Sequence, residues 1–318
     1  MISRLRSSSS SSSGRKALPY LVIGAAFVAT VAYVLTVLPL GVGRSAQPPN
    51  AAPPSPIPHS DGLSDSFEGY RMVPVTLPET RGKAIPVSFR ILGPDGAPLT
   101  SYETVQAKSM HLFLIRQDVS GYQHLHPVLQ GDLWSAPVDL DDGGSYRLYA
   151  EFTPRGWRGS APGNPNPGNP NPGNPNPGNP MTGNPMMSHP IILGLAFVIA
   201  GDTKLAPLPA PAPTSPAGPF TVERLDGTSH LYVNRSTLLR LRVHLGGNSV
   251  TLEPYLDAIA HMSAFEVRTQ GLIHLHPGGL GGELTFHTQF PNRGEYGLFL
   301  EFQVSGTVYR AAFTVFVT

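Results

Sequence analysis

Apolar and polar residues alternate with a period of two along several short stretches of this chain, and Gly, Pro and Asp separate them. Ile85–Leu92 alternates in this way, as a strand with one buried face does. Gly93–Gly96 (GPDG) is a turn signal, and a further strand is expected around Val105–Arg116. Asp118–Gly121 reads as a second turn, with Tyr122–Val128 as the returning strand. Leu133–Leu140, Ser145–Phe152 and Ile191–Ile199 complete the set. None of these stretches sustains a 3.6-residue period, so the pattern predicts an antiparallel β-sandwich.

The pattern then repeats. Residues 111–127 read HLFLIRQDVSGYQHLHP and residues 261–277 read HMSAFEVRTQGLIHLHP. The offset of 150 holds without a gap from Arg90/Arg240 to Phe152/Phe302 and matches Glu103 with Glu253, Tyr146 with Tyr296 and Glu151 with Glu301. One structural unit has been duplicated. The last strand of the second copy, Tyr309–Val317, is matched with Leu193–Gly201 at an offset of 116, which implies 34 extra residues in the first copy. They are visible as a five-residue repeat, Gly-Asn-Pro-Asn-Pro, that starts at Gly163, Gly168 and Gly173 and decays at Gly178 and Gly183. Pro and Gly at this density cannot form a ladder or a core, so a disordered insertion over 160–188 is expected.

Ahead of the repeats, Tyr20–Leu38 is an apolar run of 19 residues without charge, flanked by Pro19 and Pro39. As a helix it spans roughly 30 Å, the thickness of a hydrocarbon core. Arg4, Arg6, Arg15 and Lys16 precede it and only Arg44 follows closely, which places the N-terminus in the cytoplasm and the rest outside. A cleaved signal peptide is the alternative, but its apolar region is usually about 7–15 residues, and Arg44-Ser45-Ala46 is a poor cleavage site. The expected order is a cytoplasmic tail (1–16), a transmembrane helix (17–43) and a Pro-rich, disordered stalk (44–66). Sandwich one (67–202), a linker (203–218) and sandwich two (219–318) follow. The fold class is therefore all-β: two tandem antiparallel sandwiches behind one membrane helix.

Composition removes several functions. Net charge is +1, so nothing points to nucleic acid. The chain has no cysteine, which excludes disulfide staples, thiolate zinc and blue-copper centres. Histidine remains. His124 and His126 are two apart and share a face on a strand, with His111 on the strand before. If the turn centres near residue 119.5, Ile115 opposes His124 and Phe113 opposes His126, and His111 lies diagonal to His126 on the same face; a bulge would turn it away. Three imidazoles from two paired strands can meet a metal at about 2.0 Å. The same follows for His261, His274 and His276, so two metal sites are expected, one per sandwich. Copper or zinc suits imidazole.

Glu103/Glu253 and Glu151/Glu301 are candidate fourth ligands or partners behind the imidazoles, with solvated strand carboxylates as the plainer alternative. Met110 and Met262 adjoin the first histidines but face the other way on a strand, which suits core packing. Met181, Met186 and Met187 beside His189 could gather copper(I). His59, His230, His244 and His287 are not shared between copies and receive no role. A histidine pair is often merely structural, yet a buried neutral imidazole needs a partner for each ring nitrogen.

With FRILGPDG (89–96), MHLFLIRQD (110–118), the two HLHP segments and EYGLFLEFQVSGTVYRAAFTV (295–315) in view, the chain resembles a group of bacterial, largely actinobacterial, membrane-anchored or secreted proteins described as heavy-metal-binding. The resemblance covers most of 67–152 and 219–318 and implies immunoglobulin-like sandwiches outside the cytoplasmic membrane. The Asn-Pro repeat departs from that pattern, as does His261-Met-Ser-Ala where an aliphatic strand is usual.

The expected function is a membrane-tethered, extracytoplasmic protein that holds a transition metal, copper foremost, for buffering or delivery. A structural or protein-interaction module of the envelope is the alternative. A zinc hydrolase is the third class, but no suitably spaced general base or nucleophile accompanies the histidines, so no enzyme is expected.

Overall fold

The computed structural model describes residues 60–157, 190–227, 230–275, 277–278 and 283–318. The expected tail, membrane helix and insertion, His59, His189 and His276 lie outside the described residues, and no helix among the described residues is long and apolar enough to cross a membrane. Pro56–Thr318 forms one compact unit that contains both repeats.

Among the described residues, repeat one has nine strands: β1 (Ser66–Phe67), β2 (Tyr70–Thr76), β3 (Gly82–Leu92), β4 (His111–Arg116), β5 (Gln123–Leu125), β6 (Val128–Gln130), β7 (Leu133–Leu140), β8 (Gly144–Phe152) and β9 (Ile191–Ile199). They form two antiparallel sheets, β1-β2-β3-β7-β6 and β5-β4-β8-β9. Val87, Phe89 and Ile91 of β3 and Trp134 and Val138 of β7 pack on Leu112, Leu114, Leu148 and Leu193 of the facing sheet. Repeat two has β10 (Thr214–Ala217), β11 (Phe220–Arg224), β12 (Ser236–Leu245), β13 (Asn248–Ser249), β14 (Ala260–Glu266), β15 (Leu272–Leu275), β16 (Pro277–Gly278), β17 (Glu283–Gln289), β18 (Gly294–Val304) and β19 (Thr307–Val317). Its sheets are β10-β11-β12-β17-β16, with β13 on β12, and β15-β14-β18-β19.

Two tyrosines close the same corner in each repeat. The Tyr146 hydroxyl donates to the Asp142 carbonyl at 2.9 Å, and the Tyr296 hydroxyl to the Asn292 carbonyl at 3.0 Å. This hydroxyl-to-backbone tie is the tyrosine corner of Greek-key sandwiches.

The sandwich expectation holds in outline, and several boundaries differ. The strand expected over Tyr122–Val128 is divided: β5 pairs with β4 in one sheet and β6 with β7 in the other, so His126-Pro127 is where the chain changes sheets. Strand β2 was not expected, because Pro74 interrupts its alternation. The Pro-rich segment assigned to a linker contains β10, whose hairpin with β11 turns at Gly218 with φ of 61°. Residues 60–66, assigned to the disordered stalk, lie along β9: the Gly194 amide donates to the Ser64 carbonyl at 2.8 Å, and the Ile192 amide to the Ser60 hydroxyl at 2.6 Å. The linker assignment failed because an edge strand such as β10 tolerates proline, and the stalk assignment failed because it extended the Pro-rich stretch past Pro58 into residues 60–66, which hold no proline.

The final hairpins also fix the repeat offset. Gly144 pairs with Ile199 and Gly294 with Val317, so these last strands correspond at an offset of 118 (199 against 317), not 116, and the first copy has 32 extra residues (150 less 118). Repeat two joins β18 to β19 through Ser305 and Gly306, both at positive φ, as a two-residue primed turn requires.

The two four-stranded sheets are buried on both faces. Along β4, Leu112 and Leu114 enter the sandwich core, while Phe113 and Ile115 enter a second apolar layer with Val119, Tyr122, Tyr149, Ile192, Phe265, Leu272 and Phe299. That layer joins the two repeats. Burying nine such side chains, at about 1.5–3 kcal/mol each, contributes on the order of 10 kcal/mol or more. Apolar contact alone is thus sufficient to hold the sandwiches face to face.

Candidate metal centre

The histidines occupy one end of this shared layer. Phe113 lies opposite His124 and Leu112 opposite Leu125, and continuing that register sets His111 across from His126. The expected pairing was two residues out of step. The turn comes earlier than expected: the Val119 amide bonds the Arg116 carbonyl, the Arg116 amide bonds the Ser120 carbonyl, and Val119 takes a φ of 61°. Asp118 holds this loop by accepting both Arg116 Nε at 2.9 Å and the Ser120 hydroxyl at 2.6 Å. A shift of two preserves the face, so His111, His124 and His126 do share one side. Repeat two has the same register, with Ser263 opposite His274.

The backing of each ring fixes its tautomer. His111 Nε2–H donates to the Val105 carbonyl at 3.2 Å, which leaves the Nδ1 lone pair facing inward. His261 Nε2–H does the same to the Tyr255 carbonyl at 2.9 Å, and Tyr255 is the duplicate of Val105. His124 Nδ1–H donates to Glu301 Oε2 at 2.8 Å, and His274 Nδ1–H donates to Glu151 Oε2. The carboxylates are exchanged: each repeat's glutamate supports the other repeat's histidine. Carboxylate-backed imidazoles are the usual second layer of a metal site.

The five described imidazoles of the two trios form one cluster. His111 Nδ1 and His124 Nε2 are 3.0 Å apart, and one ligand atom each from His111, His124 and His126 lies within 4.8 Å of the others. Ring centroids are 5.3 Å apart for His111–His274, 5.7 Å for His124–His261, 5.5 Å for His124–His274 and 6.3 Å for His111–His261. The two sites expected from sequence, one per sandwich, are thus adjoining in space. Phe113 walls the cluster, stacking on His124 at 4.6 Å and meeting His274 edge-on at 4.9 Å.

Burial sets the electrostatics. His111 is lowered to about 2 by burial first and then by the neighbouring His274, and His126 to about 3 by burial and His124. His261 and His274 are also held below the ordinary histidine range, chiefly by burial. Burial raises the Glu301 carboxyl, but His124 and Arg310 outweigh it and hold it below the usual range. Neutral imidazoles with inward lone pairs are metal-ready ligands. His126 Nε2 is buried and has no hydrogen-bond partner among the described residues.

The other candidates separate cleanly. Glu103 accepts the Gly156 amide at 3.0 Å, and Glu253 accepts the Ser305 and Gly306 amides at 2.8 and 2.9 Å, so both organise loops. Met110 and Met262 pack in the sandwich cores. His244 pairs with Glu223 at 2.9 Å, away from the cluster. The sequence did not single out Arg310, which grips Glu301 Oε1 at 2.9 Å and lies over the Tyr122 ring at 4.6 Å. The legible signal was apolar residues on both faces of β4, which marks a sheet covered on both sides.

A family model described as a domain of unknown function (DUF8832) matches residues 67–162 and again 218–318. The chain belongs to the DUF8832 family. The DUF8832 matches cover the two repeated regions, the first without β9 and the second without β10, while the description gives neither a metal nor a bacterial origin. No curated protein matches the chain. Among solved structures it is similar to a chimeric tandem of titin Z1 and Z2 domains, at 9% identity over 77% of this chain and 99% of that one, with a TM-score of 0.19. Domains 4 and 5 of the S-layer protein SbsC match at 8% identity over 78% and 97%, with a TM-score of 0.21. Salmonella alpha-2-macroglobulin matches at 9% identity over 80% of this chain and 15% of that one, with a TM-score of 0.24. At these values the likeness carries no argument, and the fold assignment rests on the paired sheets and tyrosine corners themselves.

Proposed function

We propose that the chain is a membrane-anchored, extracytoplasmic binding protein, not an enzyme, that holds a transition metal through its duplicated histidines for buffering or delivery. The observation that carries this is the 3.0 Å approach of His111 Nδ1 to His124 Nε2 with their other nitrogens already committed to Val105 and Glu301. Two inward lone pairs repel unless a cation lies between them. Copper stands first and zinc second, because the donors are imidazoles and the chain has no thiol. The uncharged run within 17–43 and the four basic residues before it support the location.

A proton on His124 Nε2, shared with His111, also relieves that approach and favours a second reading, a structural module tied by N–H···N hydrogen bonds. Metal content and calorimetric titration of the full chain at pH 7.5 with copper(II) and zinc(II) separate the two. Binding well below millimolar is expected, with a gain of about 2.7 kcal/mol in stability at a hundredfold excess over Kd. No binding below about millimolar selects the structural module. For the location, an intact chain in the membrane fraction with its sandwiches open to external protease is expected. Release of a chain that starts near Ala46 would overturn the anchor.

A further inference from the structure

The exchanged glutamates and the ring spacings bear on how many ions the histidines hold. A ring bound at about 2.0 Å through nitrogen has its centre about 3 Å from the ion, so two rings sharing an ion stand no more than about 6 Å apart. The inter-repeat pairs His111–His274, His124–His274 and His124–His261 fall at 5.3, 5.5 and 5.7 Å, within that limit, and His111–His261 falls at its edge, at 6.3 Å. Within repeat one, His111–His124, His111–His126 and His124–His126 fall at 5.3, 5.3 and 4.9 Å. The shortest inter-repeat pair, at 5.3 Å, equals the longest pair within repeat one, and three of the four inter-repeat pairs are shorter than His261–His274 within repeat two, at 5.9 Å.

Charge points the same way. Two carboxylates, Glu151 and Glu301, back the cluster, both almost wholly buried. With the half-exposed Arg310 beside Glu301 set against these two carboxylates, one divalent ion leaves one positive charge uncompensated, and two ions leave three, a far larger penalty in a buried layer.

We propose that one divalent transition-metal ion sits between the two sandwiches, ligated by imidazoles of both repeats, with each repeat's glutamate orienting the other repeat's histidine. This rests on the metal reading above and deepens it: His111, His124 and His126 of repeat one already lie within reach of one another, and the shared ion adds ligands from repeat two, tying the repeats at a second place besides the apolar layer. A donor set larger than four imidazoles also suits the tetragonal preference of copper(II) or nickel(II) over tetrahedral zinc.

The test is metal stoichiometry on the full chain, loaded with copper(II), washed with a weak chelator, and assayed by elemental analysis and electron paramagnetic resonance. One copper per chain is expected. The paired substitutions H111Q with H124Q, and H261Q with H274Q, should each abolish tight binding, although each leaves one trio intact. Two coppers in the native chain, with one retained by each variant, would overturn the shared centre and leave the metal reading standing. No copper in the native chain would overturn the metal reading, and the shared centre with it. Because paired histidine variants can misfold, Glu151→Gln and Glu301→Gln form a second arm, with circular dichroism of the metal-free proteins as the folding control. Each should weaken binding about 10–100-fold at unchanged stoichiometry. An unchanged affinity in both would overturn the cross-repeat support.

Discussion

The two repeats share every histidine and glutamate of the cluster but differ at the positions around them. Phe113 of repeat one, which walls His124 and His274, is Ser263 in repeat two, where the hydroxyl meets the Tyr122 hydroxyl at 3.0 Å. Tyr122 itself corresponds to Leu272. Arg310, which grips Glu301, corresponds at the offset of the last strands to Ile192. Gly194, pressed against the Gly62 carbonyl, corresponds to Ala312, whose amide bonds the Ser215 hydroxyl instead. The polar cluster is symmetric because each half completes the other. The surrounding wall only has to fill space and satisfy its own hydrogen bonds, so its two halves can differ.

Acid should produce the largest effect, because it acts on both repeats together. His111, His126, His261 and His274 are all depressed in the folded protein, chiefly by burial. Their neutral forms therefore favour folding fully above about pH 6.5, where the unfolded chain is also neutral. That stability is lost as pH falls towards the folded values, for His126 over the window from 6.5 to about 3. At up to about 1.4 kcal/mol per group per pH unit below 6.5, the three groups pushed furthest down, His111, His126 and His274, should cost metal-free protein on the order of 5 kcal/mol or more between pH 6.5 and 4.5. Urea unfolding across that range checks this, and a flat profile would mean that the rings take up protons while folded.

The wall gives the next contrast. Phe113→Ala should cost about 3–5 kcal/mol by opening a cavity beside two imidazoles. Ser263→Ala, at the equivalent position, should cost about 1–3 kcal/mol through the lost bond to a buried hydroxyl. Equal losses in thermal unfolding would show that the asymmetry of the wall has no energetic weight.

The strap along β9 is a smaller effect. A Cβ at Gly194 would stand 1.9 Å from the Gly62 oxygen, so Gly194→Ala must push residues 60–64 away, at about 1–3 kcal/mol. Ala312→Gly should cost only about 0.5–1 kcal/mol. Hydrogen exchange at the Gly194 amide, which bonds Ser64, reports whether the strap has lifted.

Deleting 160–188 should matter least. Repeat two closes the same hairpin with Ser305 and Gly306 alone. The Pro- and Gly-rich composition predicts a loop that adds no core, and shortening such a loop changes closure entropy by about 0.6 kcal/mol per halving, so the melting temperature should barely move. A loss of several kcal/mol would mean that the insertion packs on the sandwich.

Period-two alternation marked strands with one exposed face, such as β7, because a half-buried strand must alternate, and Gly, Pro and Asp turns bounded strands such as β4 that are buried on both faces, while β2 and β10 escaped both signals. The 150-residue offset determined the duplication, and the His-x-His spacing with the turn before it placed His111, His124 and His126 on one face. The sequence likewise named Glu151 and Glu301, but as one of two equal pairs beside Glu103 and Glu253. Tertiary structure decided the rest. The pleat places His111 on the outer face of its sheet, but only the packing of one sheet on the other determines what that face meets. Alternation says nothing about contacts between sheets, so sequence alone left two separate trios. Docking through Phe113, Tyr149, Phe265 and Phe299 brought five imidazoles together and exchanged their glutamates, because apolar burial over that face outweighs the cost of burying neutral rings.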